Sequence, residues 1–115
     1  MPKDNSYLEY ILYDVLGHID GITSKSMFSG WGIYLDGTIV GIITGGELFL
    51  KADKELMAKY KKEGLHSFTY PDSKGKPHEI SYMSVPEEVF EDREKIRERV
   101  LESFDISRTA KTKKK

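Results

Sequence analysis

Cysteine is absent from this 115-residue chain, which excludes disulfides, thiolate zinc sites and cysteine nucleophiles in one step. Long apolar runs are missing too. The longest, Ile39 to Ile43, is broken by Gly41 and falls far short of the ~20 residues that a membrane-spanning helix needs. The first residues lack the charged-then-apolar pattern of a signal peptide. A cytoplasmic domain without a membrane partner is the expectation.

Chemical motifs are equally scarce. His18, His66 and His78 show no HxH or HExxH spacing, so no metal site is expected. Gly30-Trp31-Gly32 has Leu35 where a dinucleotide fingerprint needs a further glycine, and Gly45-Gly46 is not followed by the Lys-Ser or Lys-Thr of a phosphate loop. No serine stands in a GxSxG elbow. The acidic pairs Glu87-Glu88 and Glu91-Asp92 fall in helix first turns, where the helix dipole accounts for them. No cofactor and no catalytic residue is expected, and the chain reads as a non-enzyme.

What is present is charge and a compact β-rich centre. Charged residues make up 32% and hydrophobic residues 38% of the chain, the profile of a single globular domain with a heavily charged surface. The net charge is −1, of which the last eight residues contribute +5, so residues 1–107 carry −6. An acidic body is a poor match to nucleic-acid phosphates. Nucleic acid is therefore unexpected, except through Lys111, Lys113, Lys114 and Lys115 of a basic tail, residues 108–115, which reads as disordered.

The centre is Met27 to Lys51, read as three strands joined by two-residue turns at Asp36-Gly37 and Gly45-Gly46, pairs that tolerate positive φ. Such turns put Leu35 opposite Thr38, Tyr34 opposite Ile39, Ile33 opposite Val40 and Trp31 opposite Ile42, with Ile42 beside Phe49 and Ile43 beside Leu48. One face then carries Trp31, Ile33, Val40, Ile42 and Phe49, and the other Tyr34, Ile39, Ile43, Leu48 and Leu50. Both are apolar, so each must be covered, and in so short a chain helices suffice for only one. The Trp31 face is the expected interface with a protein partner, a second copy of the chain included. Gly30, Gly32, Gly41 and Tyr82 are the alternative, a shallow pocket of a small-ligand-binding protein or of an enzyme, with tight packing by a helix the plain structural reading of the strand glycines.

Before this meander, a helix is expected from a Ser6/Glu9 capping box to Gly17, with Leu8, Ile11, Leu12, Val15 and Leu16 inward. His18 to Lys25 reads as loop. After it, Asp53 caps a second helix buried through Leu56, Met57 and Tyr60. Leu65–Tyr70 and Glu79–Val85 read as a hairpin whose connecting loop, with Pro71 and Pro77, stays out of the ladder. Ser84 and Glu87 suggest another capping box, and Asp92 caps a last helix with Ile96, Val100, Leu101 and Phe104 inward. The order α-β-β-β-α-β-β-α predicts an α+β two-layer domain with a mainly antiparallel five-stranded sheet over residues 1–107.

Several segments in this order resemble the N-terminal domain of the TfoX/Sxy family. They are Met27-Phe28-Ser29-Gly30-Trp31-Gly32, Gly32-Ile33-Tyr34-Leu35-Asp36-Gly37, Gly46-Glu47-Leu48-Phe49-Leu50-Lys51, Phe68-Thr69-Tyr70 and Ser81-Tyr82-Met83-Ser84-Val85-Pro86-Glu87-Glu88. Ser29 and Met83 replace a commoner glycine and tryptophan, and longer competence regulators resemble this chain only in their first half. The resemblance implies a secretion-chaperone-like α/β fold, a link to transcriptional regulation of natural competence, and no established catalytic residues.

Overall fold

The two glycine turns organise the sheet. In the computed structural model, which describes residues 6–27 and 30–113, Asp36 and Gly37 take φ of 49° and 82° and Gly45 and Gly46 take 61° and 74°. These left-handed pairs match the twist of adjoining antiparallel strands. They connect β2 (Gly30–Leu35), β3 (Thr38–Thr44) and β4 (Glu47–Lys51). The expected hairpin beyond them is β5 (Ser67–Pro71) with β6 (Pro77–Ser84). Its prolines do enter the ladder, pairing with each other as its last rung.

The sheet has six strands, not five. Ile22–Met27, within the segment read as a loop and the start of the meander, forms β1 and pairs antiparallel with β2. Its sequence, ITSKSM, is mostly exposed, and an edge strand with little to bury carries no alternation to read. The spatial order is β1-β2-β3-β4-β6-β5.

A second correction concerns register. Leu35 faces Thr38 and Tyr34 faces Ile39 as the turn dictates, but the ladder then shifts, so Ile33 pairs with Gly41, Gly32 with Ile42 and Trp31 with Ile43. Val40 is the extra residue of a β-bulge. Beyond the bulge Ile42 pairs with Phe49 and Ile43 with Leu48, as expected. The run Ile39-Val40-Gly41-Ile42-Ile43 is apolar or glycine at every position, so no polar residue penalises a one-residue slip. The bulge puts Val40 on the same side as Ile33 and Ile43.

That side holds the core. Ile33, Leu35, Val40, Ile43, Leu48 and Leu50 form one buried cluster with Leu8, Ile11, Val15 and Leu16 of the first helix and with Val89, Ile96 and Val100. The first helix is an α-turn, α1 (Ser6–Glu9), continuing as a π-helical stretch (Tyr10–Val15). Its wider winding is visible in the Leu16 amide, which donates to the Ile11 carbonyl at 2.8 Å. Ser6 lies within the helix rather than capping it. Val89 belongs to α3 (Glu87–Phe90) and Ile96 and Val100 to α4 (Arg93–Lys113). Pro86 occupies the α3 cap position without a side-chain bond. Ser84 instead closes β6, its hydroxyl accepting from the His66 amide at 3.0 Å.

Asp53 and Asp92 cap α2 (Lys54–Lys62) and α4 as read, accepting from Leu56 at 2.9 Å and from Glu94 and Lys95 at 3.1 Å. The inward stripe of α4 differs from the apolar count. Leu101 is exposed, while Ser103 and Ser107 are buried and donate to the carbonyls of Lys51 and Ile39 at 2.7 Å each. Serine keeps the helix close to the strands and satisfies a strand carbonyl, one of them beside the bulge. The helix runs past Phe104 to Lys113, so most residues read as tail are helical. Met1 to Asn5, Phe28, Ser29, Lys114 and Lys115 lie outside the described residues.

A satellite core of Ala52, Tyr60 and Met83 seats α2 on the same side, because Met83 pairs with Leu50. The Tyr60 hydroxyl donates to Glu102 at 2.7 Å and the Arg99 guanidinium lies 4.1 Å from the ring centre. Burial first, then the bond to Glu102, pushes this phenol from 10.0 up to about 12. A proton held more tightly in the folded state stabilises it below pH 10, and that contribution is lost as pH rises from 10 towards 12. In a spectrophotometric titration Tyr60→Phe should remove the latest tyrosinate step. A variant that keeps that step would place it on another tyrosine.

Candidate functional site

With all four helices on one side, the other face of the sheet is built by alternation from Gly32, Ile42 and Phe49 in one row and from Lys51 and Tyr82 in the next. In a flat sheet β1 and β5 would stand about 24 Å apart, five strand spacings of ~4.8 Å. Here Met27 of β1 and Phe68 and Tyr70 of β5 line one concavity of about 490 Å³, so the sheet curls strongly about this face. Ile39, Ile42, Thr44, Ile80 and Tyr82 complete most of its wall. The volume lies within the range of small-molecule sites.

The five expected interface residues are divided by the bulge. Ile33 and Val40 are wholly buried in the helix-side core, and Trp31 packs against that core while bordering the cleft. Ile42 lines the cleft. Phe49 is on the open face but only 4% exposed, beneath the rings of Phe68 and His66, whose centres lie 5.4 and 5.7 Å away.

The glycines divide too. Gly30 borders the cleft. Gly32 faces it, yet its space is taken by Met27 and Tyr34, whose Sδ and Cε1 would meet an added Cβ at 3.0 Å. Gly41 is on the helix side, where the Leu50 side chain would meet an added Cβ at 2.9 Å. The sheet itself, neither a helix nor a ligand, fills these two gaps, and at Gly41 the Phe49 backbone carbonyl comes nearest, 2.7 Å from an added Cβ. Tyr82 does line the cleft, as the pocket reading required.

Met27, Phe68, Tyr70 and Ile80 are not among the interface or pocket residues expected from the sequence. Each is an apolar residue in a short strand, and only the curl of the sheet brings them together. Tyr70 is held at the lip by the hairpin tip. Its ring stacks on His78 with centres 5.7 Å apart, and His78 bonds Asp72 at 2.8 Å. The Asp72 carboxylate also accepts from the Lys74 and Lys76 amides at 2.8 and 2.9 Å. His78, then these amides, hold its pKa below the ordinary carboxylate range.

Polar groups gather on the Tyr82 side. Burial pushes the Tyr82 phenol up, and nearby Tyr34 adds to the push, so Tyr82 is an uncharged hydroxyl at neutral pH. The Lys51 ammonium lies 5.0 Å from the centre of the Tyr82 ring and that of Lys25 lies 5.4 Å from the centre of the Tyr34 ring. Among the described residues no helix is long and apolar enough to cross a membrane.

Architecture and site together define an α+β domain whose antiparallel sheet is helix-covered on one face and carries an apolar cleft on the other. Residues 14–106 match the family model of the TfoX N-terminal domain, and the chain belongs to that family. No curated protein matches it.

Proposed function

We propose that this chain is a non-enzymatic regulatory domain that acts by binding a partner protein, or a second copy of itself, on the open face of its sheet. One observation carries the reading: among the described residues every helix packs on one side, leaving Ile42, Ile80, Phe68 and Tyr70 around a cleft that no other described residue fills. Aromatic and branched side chains around a concavity are what interface anchors require. Membership of the TfoX N-terminal domain family supports a regulatory role, and control of competence genes in the cytoplasm is the form that role takes in this proposal.

The test is genetic. A chromosomal Ile42→Asp allele should reproduce the transcript changes of a deletion, while Tyr13→Ser, on the exposed flank of the first helix, should behave as wild type. An Ile42→Asp protein that accumulates normally and leaves transcription unchanged would sink the reading. A second reading, a small-ligand site, is favoured by the volume of the cleft.

A further inference from the structure

We infer that the cleft binds a small amphipathic acid, with its apolar body against Ile42 and Ile80 and its anionic head between Lys25 and Lys51. The inference rests on the reading of the open face as the recognition surface and names the chemistry of its effector.

Among the described residues the cleft lining contains no charged side chain, and its side chains with a polar atom are Thr44, Trp31, Tyr70 and Tyr82. An entering ligand must therefore be largely apolar. Register sets its charge. Lys25 pairs with Gly32 and Lys51 with Tyr82, so both lysines rise from the open face. Neither makes an ion pair among the described residues, each lying over a tyrosine ring. Two cations held only over aromatic rings, with no carboxylate partner among the described residues, share one face of a body that carries −6 over residues 1–107.

The nearby carboxylates are engaged elsewhere. Glu47, on the open side of β4, is bound by His66 at 3.0 Å. Glu79 is held on the other face by Lys61 of α2 and by Ser67. Tyr82 lines the cleft with its ring beneath the Lys51 ammonium, and its neutral hydroxyl would be a donor for the anionic head. An acid therefore fits where a neutral amphiphile gains less and a cationic one is repelled.

The probes are decanoate, decanol and decyltrimethylammonium, titrated into the full chain by calorimetry and by amide chemical-shift mapping. Decanoate should bind roughly tenfold more tightly than decanol, the scale of two partly exposed charge contacts, and decyltrimethylammonium should bind most weakly. Shortening decanoate to octanoate should weaken binding roughly tenfold for the two methylenes lost. The amides of Ile42, Thr44, Ile80 and Tyr82 should shift, and those of Ile96 and Val100 should not.

The double variant Lys25→Gln/Lys51→Gln, altered at one exposed and one half-buried position, should bring decanoate to the level of decanol. Equal binding of decanoate and decanol to the wild type, no saturable binding, or shifts centred on Tyr10 and Tyr13 would each overturn the inference. Should decanoate fail while the Ile42→Asp allele still mimics the deletion, the ligand falls and the regulatory reading stands. If decanoate binds but the allele is silent, the reverse holds.

Discussion

Ile33→Ala should lower the stability of this domain by roughly 2–5 kcal/mol, the usual cost of emptying a fully buried isoleucine site. Ile33 is 0% exposed and lies at the centre of the cluster joining the sheet to the first helix and α4. Against a total stability of about 5–15 kcal/mol for a domain, that loss is large. Ile42→Ala should cost less, about 1 kcal/mol, because its partly exposed side chain surrenders only part of its buried area. Urea unfolding of both variants measures the difference as a shift in midpoint at constant slope. The pair tests the bulge directly. In an unbulged ladder Ile33 and Ile42 share a face and their truncations cost alike, so equal losses would remove Val40 from its place as the extra residue.

Gly30→Ala is expected to be nearly as damaging and Gly32→Ala mild, although the two stand one residue apart in the same strand. A Cβ on Gly30 would run into the backbone carbonyl of Ile43, which no rotamer change can move. β2 must separate from β3 or twist away, a strain of about 1–3 kcal/mol or more, equal to roughly 4–8 °C of melting temperature for each kcal/mol in a small domain. At Gly32 the obstacles are the Met27 sulfur and the Tyr34 ring edge at 3.0 Å. The Met27 side chain is flexible and 40% exposed, so it can give way. Thermal unfolding of the two variants should differ by several degrees. Similar melting temperatures would mean that Gly30 does not lie against β3 as described.

Turn chemistry was legible because it is local. Asp36-Gly37 and Gly45-Gly46 state their own φ preferences, and the caps at Asp53 and Asp92 need only the amides two or three residues ahead. The stripes of the helices were legible for the same reason, though α4 shows where counting apolar residues stops working. Ser103 and Ser107 are inward because two strand carbonyls need donors, and those carbonyls are remote in sequence. β1 went unread since ITSKSM buries little, and its pairing is decided by the unpaired edge of β2.

The candidate site was partly legible. Tyr82, Gly30 and Ile42 were marked and do border the cleft, whereas Ile33, Val40 and Gly41 belong to the core.

By itself the sequence determined the element types, the two tight turns, the antiparallel sense of the meander and the surplus of apolar strand surface over what three or four helices can cover, since each follows from residues within a few positions of one another. Which apolar residues face the helices was decided only in three dimensions. An uninterrupted run such as Ile39 to Ile43 has no preferred phase until the core packs against it, and a single inserted residue at Val40 then sends Ile33 inward and leaves Ile42 in the cleft.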